Sequence, residues 1–236
     1  MAVSKAIQIK NALSELIQQD SSKLPSEREL SQQFNTTRIT IREALKLLES
    51  EGKIYRSNRR GWYPSPARLK YDPALHAKKS IMVFAREQGF EPRSEVVKIF
   101  RIRCDKTLAL AMRTSEGKPL VGVNRLRYLD DRPVVLEKML FREDLIPGIE
   151  NEDFSGSIHQ VLREKYNVKF GENESDITVT CATGEDAEIL QTTEGAATLH
   201  IQRSYSFNTN EIFEYDEELW RADAIKIHLH AKYDED

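Results

Sequence analysis

Leu24-Pro-Ser-Glu-Arg-Glu-Leu30, Thr37-Arg-Ile-Thr-Ile-Arg-Glu-Ala-Leu45 and Leu48-Glu-Ser-Glu-Gly52 decide how the N-terminal part of this 236-residue chain folds. Ser26 stands three residues before Glu29, the capping-box spacing that opens a helix, with Leu30 and Phe34 inward. Asn35 and Thr36 break that helix. Thr37 can cap the next one, which carries Ile41, Leu45 and Leu48 on one face and stops at Gly52. Upstream, Ile7, Ile9, Leu13, Leu16 and Ile17 recur at near-helical spacing, so Ser4 to about Gln19 reads as an amphipathic helix. Asp20 to Pro25 is a polar break.

Two short helices joined by a tight turn, the second rich in Thr and Arg, form a helix-turn-helix. Thr37, Arg38, Thr40 and Arg42 lie near the start of the second helix, where side chains meet base edges or phosphates. A solvated helix face would also carry Arg and Thr, so the next segment carries weight. Lys53-Ile-Tyr-Arg-Ser-Asn-Arg-Arg-Gly-Trp-Tyr63 reads as two strands around a doubly basic turn, a β-hairpin wing with Arg59, Arg60 and Gly61 at its tip.

Charge is distributed to match. Residues 1–66 carry 11 Lys and Arg against 7 Asp and Glu, a charge of +4, whereas the remainder carries 24 against 31, or −7. A basic segment on an acidic body suits a chain of which one part approaches phosphates. Cys104 and Cys181 fit neither a metal spacing nor a disulfide framework, and the N-terminus has no long apolar run. The expectation is a cytoplasmic protein with reduced thiols, no membrane association and no cofactor.

The motifs quoted above closely resemble the DNA-binding domain of the GntR family, over about residues 5–64. The resemblance implies that double-stranded operator DNA is the partner. It also implies contacts from Arg28, Arg38 and Arg42, assisted by Thr37, Thr40 and the wing residues Arg60 and Gly61. Many relatives have a small hydroxyl residue after the wing glycine. This chain has Trp62, expected to pack at the base of the wing.

Residues 65–75, which follow Pro64 and contain Pro66 and Pro73, form a stiff connector between a first domain at 1–64 and a second at 76–236. Leu75–Gln88 reads as a helix, and beyond it strands alternate with short helices. Pro119–Tyr128 and Pro133–Arg142 form a hairpin around Asp130-Asp131, and Thr198–Phe207, Glu211–Trp220 and Ile225–Ala231 a terminal meander. The fold class is therefore a winged helix-turn-helix, mainly α, followed by an α+β domain on an antiparallel sheet.

Arg125 and Arg127 share a strand face, so two like charges stand side by side and need an anion or a carboxylate between them. Glu137 on the next strand could supply that carboxylate in a plain ion-pair ladder. The layout after the connector resembles the UTRA effector domain of the HutC subfamily, related in fold to chorismate lyase. There the paired arginines and a helix start hold the effector's anionic group. By that resemblance Arg125, Arg127, Ser157 and His159 form an anion site, helped by Arg93 and Ser94, and Glu137 or Glu218 reads the effector's other end. The stretches Arg59–Pro66 and Glu217–Ala224 look most like regulators of phosphonate utilisation. A 2-aminoethylphosphonate-like effector follows, with a sugar phosphate or a urocanate-like ligand as the alternatives. One helix-turn-helix covers one half-site, so a homodimer, dimerised through the second domain's sheet, is expected. A lyase-like enzyme is the remote alternative. His228 and His230 share a strand face as metal ligands might, but nothing completes a set, and no nucleophile elbow or phosphate-binding loop is present.

Overall fold

A computed structural model of the chain describes residues 4–19, 23–57, 61–72 and 80–229. The described residues divide into two units: those of 1–68, 181–197 and 221–225, and those of 69–180, 198–220 and 226–236.

The first unit contains α1 (Lys5–Gln19), α2 (Glu27–Gln33), α3 (Arg38–Ser50), β1 (Ile54–Ser57) and β2 (Gly61–Pro64). The capping box closes as its spacing predicts: the Ser26 N–H donates to Glu29 Oε2 at 2.8 Å, and the Glu29 N–H to Ser26 Oγ at 3.3 Å. Asn35 turns the chain at φ 45°, Thr37 caps α3 by accepting from the Thr40 N–H at 3.2 Å, and Gly52 takes φ +66° just past its end. Ile9, Leu13, Leu30, Ile41, Leu45, Leu48, Ile54 and Trp62 form the core. The buried line of α1 is Ala6, Ile9 and Leu13, continued by partly buried Ile17. Ile7 and Leu16 fall outside that arc and are 40% and 45% exposed, so the inward face is narrower than the apolar residues suggest. A later segment belongs to this unit. Thr193 Oγ1 donates to Glu49 Oε1 on α3 at 3.1 Å, and Arg221 lies 5.5 Å over the Tyr55 ring and donates to the Leu190 carbonyl at 3.0 Å.

The second unit is built on six strands in the order β4-β5-β6-β9-β8-β7. They are β4 (Pro92–Arg103), β5 (Pro119–Leu129), β6 (Arg132–Arg142), β7 (Phe170–Cys181), β8 (Ala197–Phe207) and β9 (Ile212–Arg221). Asp130 and Asp131 adopt φ 52° and 61°, the left-handed pair a two-residue hairpin turn needs between β5 and β6. The helix read over Leu75–Gln88 is α4 (Ile81–Glu87), and residues 73–79 lie outside the described residues. One sheet face packs Val121, Val123, Met139 and Phe141 against Phe154, Ile158 and Leu162, the last two from α6 (Ile158–Lys165). On the other, Leu120 and Ile212 meet Ala109 of α5 (Lys106–Ala111) and Met112. The remaining α-helix among the described residues, α7 (Gly184–Ile189), lies in the 181–197 segment of the first unit.

The terminal meander is shorter than the sequence suggests. β10 (Ile225–Ile227) leaves it and pairs with β3 (Leu69–Tyr71) in the connector. Tyr71 is buried at 1% exposure and accepts from Arg203 Nη2 at 2.8 Å, so the connector carries a strand rather than running as bare spacer.

Candidate nucleic-acid interface and anion cavity

The first site is the outer face of the helix-turn-helix. Thr37, Arg38 and Thr40 sit at the opening turn of α3, with the two threonine hydroxyls 3.0 Å apart. Arg42, one turn further, has a 60% exposed side chain whose Nε donates to Glu27 Oε2 on α2 at 2.7 Å. Glu27 therefore fixes the inner edge of the guanidinium and aims the rest outward. A groove of about 700 Å³ brings Arg28 and Arg42 together with Lys23, Lys46, Arg56 and the wing residue Gly61, which has φ +108°. Lys23 and Arg56 carry no motif of their own, whereas Lys46 lies at i+4 from Arg42 and is legible on that helix face. Ile39 is 68% exposed between Arg38 and Thr40 and offers an apolar surface of the kind that meets a thymine methyl. Glu27 and Glu194 are the carboxylates in the groove wall. Trp62 is buried in the core, and its carbonyl accepts from the Leu24 N–H at 3.0 Å, tying the wing base to the loop before α2. Arg60 lies outside the described residues.

The second site is a cavity of about 50 Å³ between the sheet and the start of α6. Strand register builds it in rows: Arg125 pairs with Glu137, which pairs with Glu218, and in the next row Val123 pairs with Met139, which pairs with Asp216. Ser157 caps α6, its hydroxyl accepting from the Gln160 N–H at 3.3 Å. His159 follows, its Nε2 3.2 Å from Glu214 Oε2 and its ring edge-on to Tyr205 at 4.5 Å. Ser157, His159, Arg125, Arg127, Glu137 and Glu218, all expected from the sequence, line this one cavity.

The two arginines are not equivalent. Arg125, 2% exposed, donates from Nε to Glu137 Oε2 at 2.5 Å and from Nη1 to the Phe154 and Gly156 carbonyls at 2.8 and 3.0 Å. It holds the loop that leads into α6. Arg127 donates from Nε to Glu137 Oε1 at 2.5 Å and from Nη1 to Ser94 Oγ at 3.1 Å, keeping more of its fork for a ligand. Burial pushes the Glu137 carboxyl up, but the two guanidinium groups outweigh it and hold the carboxyl well below its ordinary range. Burial and the neighbouring Arg125 lower Arg127 in spite of that carboxylate. One carboxylate thus serves two buried cations, so the trio Arg125, Arg127 and Glu137 carries one excess positive charge at this end of the cavity.

The β9 side of this sheet face is acidic. Glu214, Asp216 and Glu218 alternate along β9 and share a face, with 1%, 6% and 3% exposure. Glu218 accepts from Arg203 Nη1 at 2.6 Å and from Trp220 Nε1 at 2.6 Å. Asp216 Oδ2 lies 3.5 Å from Arg203 Nη1, while its Oδ1 is buried with no hydrogen-bond partner among the described residues.

Two expectations are corrected. Arg93 does not line the cavity: it stacks 3.8 Å over the Tyr128 ring and pairs with Glu95, because strand alternation puts Ser94 in the row of Arg127 and turns Arg93 to the other face with Tyr128. Ser94 stands behind Arg127 as its hydrogen-bond partner rather than in the wall. The amine-reading role expected of Glu137 or Glu218 also meets an obstacle, since both carboxylates are already taken up by guanidinium groups. Arg163, Tyr205, Glu214 and Asp216 line the cavity without having been anticipated. The alternating acids Glu214, Asp216 and Glu218 were visible as a one-sided strand pattern, whereas Arg163 and Tyr205 carry no sequence signal. Among the described residues no group of three His, Cys, Asp or Glu could hold a metal ion, and no helix is long and apolar enough to cross a membrane. His228 is described, while His230 is not.

Both parts of the chain are similar to known proteins. Residues 6–63 match the bacterial regulatory proteins of the gntR family, and residues 87–226 match the UTRA domain. The chain is 30% identical over 192 residues to the uncharacterized HTH-type transcriptional regulator YurK of Bacillus subtilis (strain 168), covering 81% of this chain and 78% of that one. To the HTH-type transcriptional repressor NagR of the same organism it is 28% identical over 200 residues, covering 85% and 82%. The crystal structure of PhnF from Mycobacterium smegmatis shares the fold, with a TM-score of 0.67 at 21% identity over 95% of this chain and all of that one. YurK and NagR are both named as HTH-type transcriptional regulators or repressors, not as enzymes. With a GntR-type winged helix-turn-helix followed by a UTRA domain of α+β antiparallel type, the chain belongs to the GntR family of bacterial transcriptional regulators.

Proposed function

We propose that this regulator is a repressor of the HutC subfamily that binds a palindromic operator as a two-fold dimer. A small organic anion, a phosphonate or a phosphate ester, enters the second unit's cavity and releases the DNA. The observation that carries the anion reading is the sharing of Glu137 by two arginines that are 2% and 6% exposed. That trio carries one excess positive charge, so an anion in contact with its guanidinium groups is favoured at this end of the cavity. The α6 N-terminus at Ser157 adds backbone N–H groups and a favourable dipole. In this reading Arg127, Ser157 and His159 hold the anion and Arg125 positions the loop beneath it. At about 50 Å³ the cavity is small beside ordinary ligand sites of roughly 300–1,000 Å³, so an effector enters with movement of the lining. Such movement has an outlet, because Arg203, which binds Glu218, also binds Tyr71 in the connector.

Arg28, Thr37, Arg38, Thr40, Arg42 and Gly61 are proposed as DNA contacts, and Arg60 joins them from the resemblance alone. Repression is supported by the relative named a transcriptional repressor. Dimerisation through the sheet is supported by its long edge strands, where Val96, Val97 and Ile99 on β4 and Ile177 and Val179 on β7 are 40–77% exposed. An unpaired apolar edge of that length is a template for a second strand. 2-Aminoethylphosphonate is the first effector to try, and a sugar phosphate the second. The test is a thermal-shift screen of phosphonates, sugar phosphates, urocanate and inorganic phosphate, followed by operator mobility shifts with each hit. One organic anion that both stabilises the protein and releases DNA supports the reading. Anions that stabilise without changing operator affinity refute it.

A further inference from the structure

The proposed anion site leaves the acidic wall of the same cavity unexplained. Three carboxylates on one face of β9 meet one guanidinium, Arg203, which is committed to Glu218 through both terminal nitrogens, at 2.6 and 3.2 Å. Glu214 has His159 at 3.2 Å. Asp216 has only a 3.5 Å approach to Arg203 on one oxygen, and its other oxygen is without a partner at 6% residue exposure. A buried acceptor left unmade costs more than a hydrogen bond gains, so it persists where something else uses it. Asp216 faces Met139, one row along the sheet from Glu137. Its backbone therefore lies about 7 Å along and about 5 Å across from the backbone of Glu137.

Resting on the anion reading above, we propose that Asp216 is the specificity-determining residue of the cavity and binds a protonated amine of the effector. The effector class is then an amino-substituted phosphonate or phosphate ester, with its anion at Arg127 and Ser157 and its ammonium at Asp216. Burial and the neighbouring carboxylates Glu218, Glu214 and Glu137 push Asp216 far above its ordinary value, against the pull of Arg203. A bound cation restores the charged form by supplying the missing partner. Glu137 and Glu218 cannot take this role without giving up guanidinium partners; Asp216 can.

The test compares three ligands with the same acid group by calorimetry on the intact protein: 2-aminoethylphosphonate, 2-hydroxyethylphosphonate and ethylphosphonate. A charge-assisted hydrogen bond predicts that the amine binds about ten- to a hundredfold more tightly than ethylphosphonate. The neutral hydroxyl should fall well short of the amine. Asp216→Asn should lose this discrimination while still binding ethylphosphonate, and its melting temperature should not fall, because the amide keeps the shape of a carboxyl that burial already holds neutral in the ligand-free protein. Equal binding of amine and ethyl analogues by the wild type, or of amine and hydroxyl, overturns the assignment and leaves the anion site standing. Retained discrimination in Asp216→Asn overturns it as well. If none of the three binds, and neither glucosamine 6-phosphate nor glucose 6-phosphate does, the anion reading itself falls and takes this proposal with it.

Discussion

Replacing Glu137 by Gln tests the charge arrangement on which the anion site rests. Glu137 is 4% exposed and accepts two charge-assisted hydrogen bonds, each 2.5 Å, from Arg125 and Arg127. The amide keeps the shape but loses the charge, and it turns a donor toward one of the two guanidinium groups. The cluster then passes from one excess positive charge to two in the same buried volume. Removing one partner from a buried ion pair costs about 3–5 kcal/mol, and at about 2–4 °C per kcal/mol the melting temperature should fall by roughly 6–20 °C. The carboxyl's depressed pKa fixes the pH dependence. Its stabilisation is present above the ordinary value of 4.5 and is lost as pH falls through the folded value, so the gap between wild type and variant should narrow on acidification. An anion that binds at this site supplies the missing charge. Thermal melts with increasing ethylphosphonate should therefore show a larger stabilisation of Glu137→Gln than of wild type. A fall in melting temperature under about 2 °C, or an equal anion-induced shift in both proteins, would refute the reasoning.

Arg127→Ala should abolish effector release in a mobility-shift titration while operator affinity in the absence of effector stays at the wild-type level; it should also destabilise less than Glu137→Gln, since Arg125 and Glu137 remain as a neutral pair. Arg42→Ala should weaken operator binding by about 1–3 kcal/mol if the guanidinium reads a base, and Glu27→Ala should reproduce part of that loss by removing the carboxylate that aims it. Unchanged operator affinity in Arg42→Ala would exclude the contact. Burial raises Glu49 above its ordinary 4.5 over the opposing Thr193 hydrogen bond, so stability is full below 4.5 and declines as pH rises through the folded value. Glu49→Gln should thus raise the melting temperature at neutral pH and have little effect below pH 4.5; a lower melting temperature at neutral pH would count against it.

How much could be read before the structure depended on whether the signal was local. The capping box at Ser26 and Glu29, the cap at Thr37, the stop at Gly52 and the hairpin at Asp130-Asp131 are interactions over a few residues, and each formed where its spacing placed it. The two arginines could be put on one face because strand periodicity is two, and the α6 start at Ser157 because a capping serine announces itself. What could not be read was how charges from distant strands would be shared. The sequence holds Arg125, Arg127 and Glu137 close together, but only the register of β5, β6 and β9 shows that Glu137 is consumed by both arginines and Glu218 by Arg203. That same register leaves Asp216 as the carboxylate with an unused oxygen, and it sends Arg93 and Ser94 out of the cavity wall. Local sequence determined the elements and the class of the protein, because caps, turns and periodicity are decided within a few residues. Tertiary structure decided which ionised groups are partners, because that depends on which strands the sheet sets side by side.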